Sequence, residues 1–375
     1  MKLIELHILQ SFPVSCLNRD DVGSPKSALF GGVKRARISS QCLKRASRLQ
    51  LQNHCDLKSF SGQRGRFIVS PLTAALRNNG LSDQAASEWA IRIAVSLTKA
   101  KKQGEKPHEK AELEKIIAKL ENEELGQVST AVYMSPFELQ SLAALISKEI
   151  ADTGTVKSIL KCAKIASIDT LAKDGVDIAL FGRMVAADAT LNVEGASMFA
   201  HALSTHRVDN EVDYFSTVEE YDKEQAVSAD SGAAMIGTLE FNSATYYRYV
   251  AVNLDLLADE KHLGALTEEE RKDILRAFIR AALVSVPGAR QNSMNAGTLP
   301  HEVLGIRKNQ GQPLQLVNAF ERPVPSSKSG FAEASLTELK EHLARIEATW
   351  STQGEKHFLT ETDGGLDAFI NHLLA

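Results

Sequence analysis

The chain has 375 residues and only four cysteines, Cys16, Cys42, Cys55 and Cys162, with no Cys-x-x-Cys pair and no histidine at finger spacing. A zinc finger and a thiol redox motif are therefore not expected, and free thiols in a reducing compartment are. No apolar run approaches the roughly 18–20 residues that span a bilayer. Lys2 does precede Leu3, Ile4, Leu6, Ile8 and Leu9, but Glu5, His7 and Gln10 interrupt that run, so it is no secretory segment and a cytoplasmic location is the default. The chain also lacks a Walker A loop, a Gly-x-Ser-x-Gly elbow and a metalloprotease pair. His201 and His206 are five apart with no glutamate between them. Triphosphate binding, serine hydrolysis and zinc catalysis are thus not expected, and neither a catalytic residue nor a metal or cofactor is assigned.

One local absence is more informative. From Val22 to Cys55 there is no acidic residue, while Lys26, Lys34, Arg35, Arg37, Lys44, Arg45 and Arg48 give the stretch +7. The whole chain is −4, so the remainder carries −11. A compact basic region on an acidic body is the footprint of a localised polyanion site.

The residues present, 43% hydrophobic and 24% charged, suit one large domain with insertions or two domains. Residues 3–9 alternate as a strand, with Ile4, Leu6 and Ile8 on one face and Glu5 and His7 on the other. Ser11 to Lys34 is rich in Gly, Pro and Ser and reads as loop. A helix with a serine cap opens at Ser39-Ser40. Residues 70–173 are Ala-rich and helical, with Leu113, Ile116, Ile117 and Leu120 at helical spacing. A second helix there is capped by Ser135 with Pro136 and Glu138, and Gly154 closes it. Strands are expected at 176–180 and 245–253, separated by a long polar insertion. Thr267 and Glu270 form a capping box opening a helix through Ile274, Phe278 and Ala282, and further helices follow over 336–346 and 366–374. The order fits an α+β core decorated by two insertions, for which a ferredoxin-like or RRM-like sheet is the natural candidate.

On the helix from Ser40, the residues Gln41, Lys44, Arg45 and Arg48 fall at i, i+3, i+4 and i+7 and form one basic stripe, leaving Leu43, Ala46 and Leu49 for the core. Its N-terminus adds backbone N–H groups, the Ser39 and Ser40 hydroxyls and the positive end of the dipole. A solvated basic face is the ordinary meaning of such a stripe; the missing acidic partners favour phosphate binding. Gly31-Gly32 would let backbone approach a ligand closely. The loop Pro287 to Ser293, with Arg290, is equally a second phosphate contact or a plain helix exit. Tyr214-Phe215 reads as hairpin packing or as a base-stacking platform, and Met184 more readily as core.

Several blocks resemble the CasC family, the backbone subunit of the type I-E CRISPR Cascade complex. They are Ser15 to Asp21, Phe30-Gly31-Gly32, Arg37 to Gln41 with Leu43 to Ala46, Gly175 to Leu180 with Gly182-Arg183-Met184, and Ala200-His201-Ala202 with Thr205-His206. Thr238, Glu240-Phe241, Tyr247-Arg248-Tyr249, Val286 to Ala289 and Asn318 to Glu321 complete the set. The resemblance implies an RRM-like palm (1–60, 171–190 and 236–375), helical fingers (61–170) and a thumb β-hairpin (191–235). It implies several copies stacked along a guide RNA, whose bases stay free to pair with target DNA, alongside other Cascade subunits, with no membrane and no cleavage activity. It assigns RNA phosphates to Ser39, Gln41, Lys44 and Arg48 with Arg19 and Lys26, a base contact to Met184, and support of a displaced base to Tyr214 and Phe215. Phosphate contacts carry no sequence information, so one subunit serves any guide. Two rivals remain. One is a metal-dependent ribonuclease using Asp20 or Asp21, as in similar type III backbone subunits; the other is a scaffold whose basic stripe meets only an acidic protein.

Overall fold

A computed structural model describes residues 1–54, 58–98, 128, 130–152, 171–185, 189–217 and 235–375. The chain divides into two compact units, one of residues 1–50, 199–251 and 278–375, the other of 51–198 and 252–277. The strands are β1 (Leu3–Ser15), β2 (Ser27–Phe30), β3 (Val33–Ile38), β4 (Gln63–Gly65), β5 (Val132–Met134), β6 (Ser197–Phe199), β7 (Ala202–Ser204), β8 (Glu211–Thr217), β9 (Met235–Asn253), β10 (Glu302–Lys308) and β11 (Glu355–Phe358). The longer helices, with one short one, are α1 (Ser40–His54), α2 (Val69–Asn78), α3 (Asp83–Thr98), α4 (Pro136–Asp152), α5 (Val176–Phe181), α6 (Glu268–Val284), α7 (Ala332–Trp350) and α8 (Gly365–Leu374).

The first unit is built on a sheet of order β11-β10-β1-β9-β7-β3-β2, and its β1–β10, β10–β11, β2–β3, β3–β7 and β7–β9 pairs are antiparallel. The fold is thus α+β with an antiparallel sheet. Strand β1 is buried on both faces from Leu3 to Gln10, because each face has its own cover. On the Ile4, Leu6 and Ile8 face, Gly305 lies opposite Leu6, and the absence of a Cβ there lets Leu373 and Phe369 of α8 press against the strand. On this face too Arg248 reaches from β9 to the Ala282 carbonyl at 2.7 Å and to the Gln10 side chain. Burial pushes its guanidinium down to about 10.

The other face holds a buried polar network. Glu5 pairs with Lys308 and accepts from the Tyr249 hydroxyl at 2.7 Å and the Leu314 N–H at 2.6 Å. Tyr247 accepts the Leu316 N–H at 2.8 Å and meets His7 Nδ1 at 2.9 Å. Complete burial, with Lys308 nearby, lowers the His7 pKa to about 3. The alternation expected for β1 is present, but the Glu5 and His7 face is dry rather than solvated.

The second unit has its own apolar core, centred on Leu72, Leu76, Ala90, Ile93, Ala94, Leu142 and Ile146 of α2, α3 and α4. At the start of α4 the expected capping box is present, with Glu138 N–H donating to Ser135 Oγ at 3.1 Å and Ser135 N–H to Glu138 Oε2 at 3.3 Å. The Thr267–Glu270 box at α6 is present too, at 3.3 Å and 2.8 Å.

Two readings need correction. Residues 176–181 form a helix, not a strand, and Val176 to Leu180 are all buried, so no alternation existed to separate the two. The expected loop 11–34 includes the end of β1, all of β2 and the first residues of β3. Strand β10, beside β1 within the sheet, had no expectation at all, since Gly305 interrupts its pattern. The helix expected around Leu113 to Leu120, the Gly154 stop, Cys55 and Cys162 lie outside the described residues.

Candidate nucleic-acid interface

The basic stretch folds into two pieces of the first unit, the β2–β3 hairpin and α1. The two-residue turn Gly31-Gly32 has φ values of 59° and 75°, which a hairpin of this length requires. Gly31 approaches protein rather than ligand, since a Cβ there would fall 1.6 Å from the Glu321 carbonyl oxygen. Arg35 is fully buried and donates to the carbonyls of Phe30, Ser204 and Phe320 at 3.2, 2.9 and 2.8 Å. One of the seven cations is therefore structural. Burial lowers its pKa, and the nearby Glu321 opposes that shift.

The stripe on α1 is broadly as expected. Gln41 and Arg45 are exposed, Lys44 and Arg48 half-buried, and the Lys44 ammonium sits 5.9 Å from the centre of the Phe199 ring. Burial lowers the Lys44 pKa. The core side runs Leu43, Ser47, Leu51, with Ser47 bonded to Ser285 at 2.9 Å, while Ala46 and Leu49 are only half-buried.

The helix N-terminus differs from expectation. Ser39 N–H donates to Asn18 Oδ1 at 2.8 Å, Ser40 N–H to His201 Nδ1 at 3.2 Å, and Cys42 N–H to the buried Ser39 hydroxyl at 3.4 Å. Most of these donors are therefore satisfied by the protein, and a phosphate there would meet mainly side chains. Asn18 and His201 were missed as part of the site. Asn18 carried a weak signal as a loop asparagine; His201, 161 residues from Ser40, carried none in its local sequence.

The preceding loop joins the same region. Lys26 N–H donates to the Asn18 carbonyl at 2.8 Å and Arg37 N–H to the Lys26 carbonyl at 2.9 Å, while Arg19 bridges to Pro25. Asp20 is used locally, its Oδ1 accepting the Val22 and Ser24 N–H groups at 3.1 and 2.9 Å. Arg290 has φ 54° and heads a tight turn, accepting from Met294 N–H at 2.7 Å. Both Arg290 and Arg19 act electrostatically on the buried Cys16 thiol, whose pKa burial raises.

The β8–β9 hairpin pairs Tyr214 with Thr238 and Phe215 with Gly237, and its residues 218–234 lie outside the described residues. Tyr214 and Phe215 are 62% and 42% exposed, so neither is core. Adjacent strand residues face opposite sides of the ribbon. The Phe215 ring covers Gly237, where a Cβ would come within 2.4 Å of it.

In the second unit Met184 is 85% exposed, against the core reading. Its neighbours fix it. Arg183 pairs with Glu138 at 2.6 Å and donates to the carbonyls of Leu191 and Tyr133 at 2.9 and 3.1 Å, while Val185 N–H donates to Asn192 Oδ1 at 2.6 Å. Among the described residues there is no cluster of three or more metal-ligating side chains and no helix long and apolar enough to cross a membrane.

An antiparallel α+β unit thus carries a basic helix face and an aromatic hairpin. The chain belongs to the CT1975-like protein family, which matches residues 4–372. It is similar to a solved chain of a "CRISPR RNA-guided surveillance complex, pre-nicking", with 27% identity, 99% of each chain covered and a TM-score of 0.75. It is also similar in fold to a chain of a "CRISPR RNA-guided surveillance complex", at 24% identity, 99% coverage of both and a TM-score of 0.66. No curated protein matches it. The resemblance to the CasC family is borne out.

Proposed function

We propose that the chain is a non-catalytic backbone subunit of a type I-E CRISPR surveillance complex in the cytoplasm. Several copies assemble along a guide RNA with the other subunits, grip its phosphates and leave its bases free to pair with target DNA. The observation that carries this reading is the α1 face, where Gln41, Lys44, Arg45 and Arg48 stand in a stretch without acidic residues. Lys26, Arg37 and Arg19 extend it through the adjoining loop and hairpin. A surface of this kind binds any single strand by charge and backbone contact.

In this reading an RRM-like palm comprises 1–60, 171–190 and 236–375, fingers span 61–170 and a thumb spans 191–235. Met184 presses on bases, and Tyr214 and Phe215 of the thumb support the displaced base, the Phe215 ring also lying over Gly237. The ribonuclease alternative would need Asp20 or Asp21 as a base. The commitment of Asp20 Oδ1 to two backbone N–H groups favours the non-cleaving reading.

The test is co-expression with a CRISPR array and the partner subunits, followed by purification of the particle. Protected guide-length RNA is expected with the native chain and is lost with the K44E/R48E variant. An RNA-free native particle would overturn the proposal, and magnesium-dependent cleavage abolished by D20N or D21N would establish the alternative.

A further inference from the structure

His201 lies against the start of α1 and is part of none of the RNA contacts assigned above. Its Nδ1 lies 3.2 Å from the Ser40 N–H. A backbone N–H can only donate, so Nδ1 must carry a lone pair, and a neutral ring then holds its one proton on Nε2. The imidazole is exposed, and among the described residues no protein acceptor takes that Nε2–H. Partial burial and the charges of Arg37 and Lys26 hold the ring's pKa below its ordinary value. The result is a neutral donor of fixed tautomer in a positive field, at the start of α1.

We propose that His201 is an RNA-contacting residue that donates its Nε2–H to a backbone phosphate oxygen of the strand lying along α1. The assignment rests on the RNA-binding reading above and adds to it a contact of a different physical kind. Lysine and arginine contacts release counterions and so steepen the salt dependence of binding. A neutral N–H donor strengthens binding without releasing one, and leaves that dependence unchanged. Its Nδ1 bond meanwhile fixes the ring against the helix that presents Gln41 and Lys44.

The test is titration of the purified full chain with labelled single-stranded RNA across a salt series, together with thermal melting. Asparagine reproduces the acceptor at the Nδ1 position, and glutamine reproduces a donor near Nε2. His201→Asn is expected to keep the melting midpoint and weaken binding about three- to tenfold, the worth of one hydrogen bond, at an unchanged log–log salt slope. His201→Gln is expected to lose less affinity than His201→Asn but to melt earlier. Lys26→Ala, as a control, lowers the slope by about 0.7. His201→Asn binding as tightly as the native chain would overturn the inference while leaving the RNA-binding reading intact. So would loss of affinity only in variants that also melt early, which would make His201 a helix cap alone. A native chain that binds no RNA would overturn both.

Discussion

The two units each bury an arginine and treat its charge differently. In the second unit Arg183 meets Glu138 at 2.6 Å, both side chains almost wholly inaccessible, and the charge is cancelled where it lies. In the first unit Arg35 is held by the carbonyls of Phe30, Ser204 and Phe320, which satisfy its donors, and Glu321 offsets its charge only through space. That charge sits in the β2–β3 hairpin beside the candidate RNA surface. The difference teaches that the basic stretch does two jobs. Arg35 assembles the hairpin against the 320–321 backbone, while Gln41, Lys44, Arg45 and Arg48 line one face of α1.

The largest expected effect comes from pH, since the first unit also keeps His7 neutral. Its folded pKa of about 3 lies below the unfolded value, so an unfolded chain takes up a proton that the folded one refuses. Stability is full above about pH 6.5 and falls steadily towards pH 3, by roughly 5 kcal/mol in total. His7→Gln should flatten that acid limb in chemical denaturation, and an unchanged limb would exclude His7 as its cause.

Next is the ion pair. In Glu138→Gln no amide orientation serves both Arg183 and the Ser135 N–H, and a loss of about 3–5 kcal/mol is expected in urea melts. A second change, Arg183→Met, should recover part of that loss, because the stranded charge is then gone. Arg35→Met should cost less, about 2–3 kcal/mol, for carbonyls left unpaired. No second-site change can restore it, because its partners are backbone. Recovery by any side-chain substitution would break the contrast between the units. Ser135→Ala is the smallest, about 1 kcal/mol for a lost cap, measurable as a lower melting midpoint.

What the sequence disclosed followed locality. Both capping boxes, the stripe on α1 and the strand through Tyr247 were legible, because spacing within one element defines them. The helix 176–181 was not, since burial on every side erases the period. Arg35 looked like one more surface cation until the carbonyls of Ser204 and Phe320, far along the chain, came to lie around it. His201 was named in the sequence, but its place beside Ser40 was illegible for the same reason. Tyr214 and Phe215 could be picked out as candidates, yet the packing of Phe215 over Gly237 needed the register of the hairpin.

The most direct test of the account is the salt dependence of RNA binding by the native chain and by K44A/R48A. If these two side chains each hold a phosphate, the log–log slope should fall by about 1.4 in the variant, and it should be unaffected by Ser135→Ala. An equal slope in the native chain and in K44A/R48A would contradict the claim that this helix face carries the RNA.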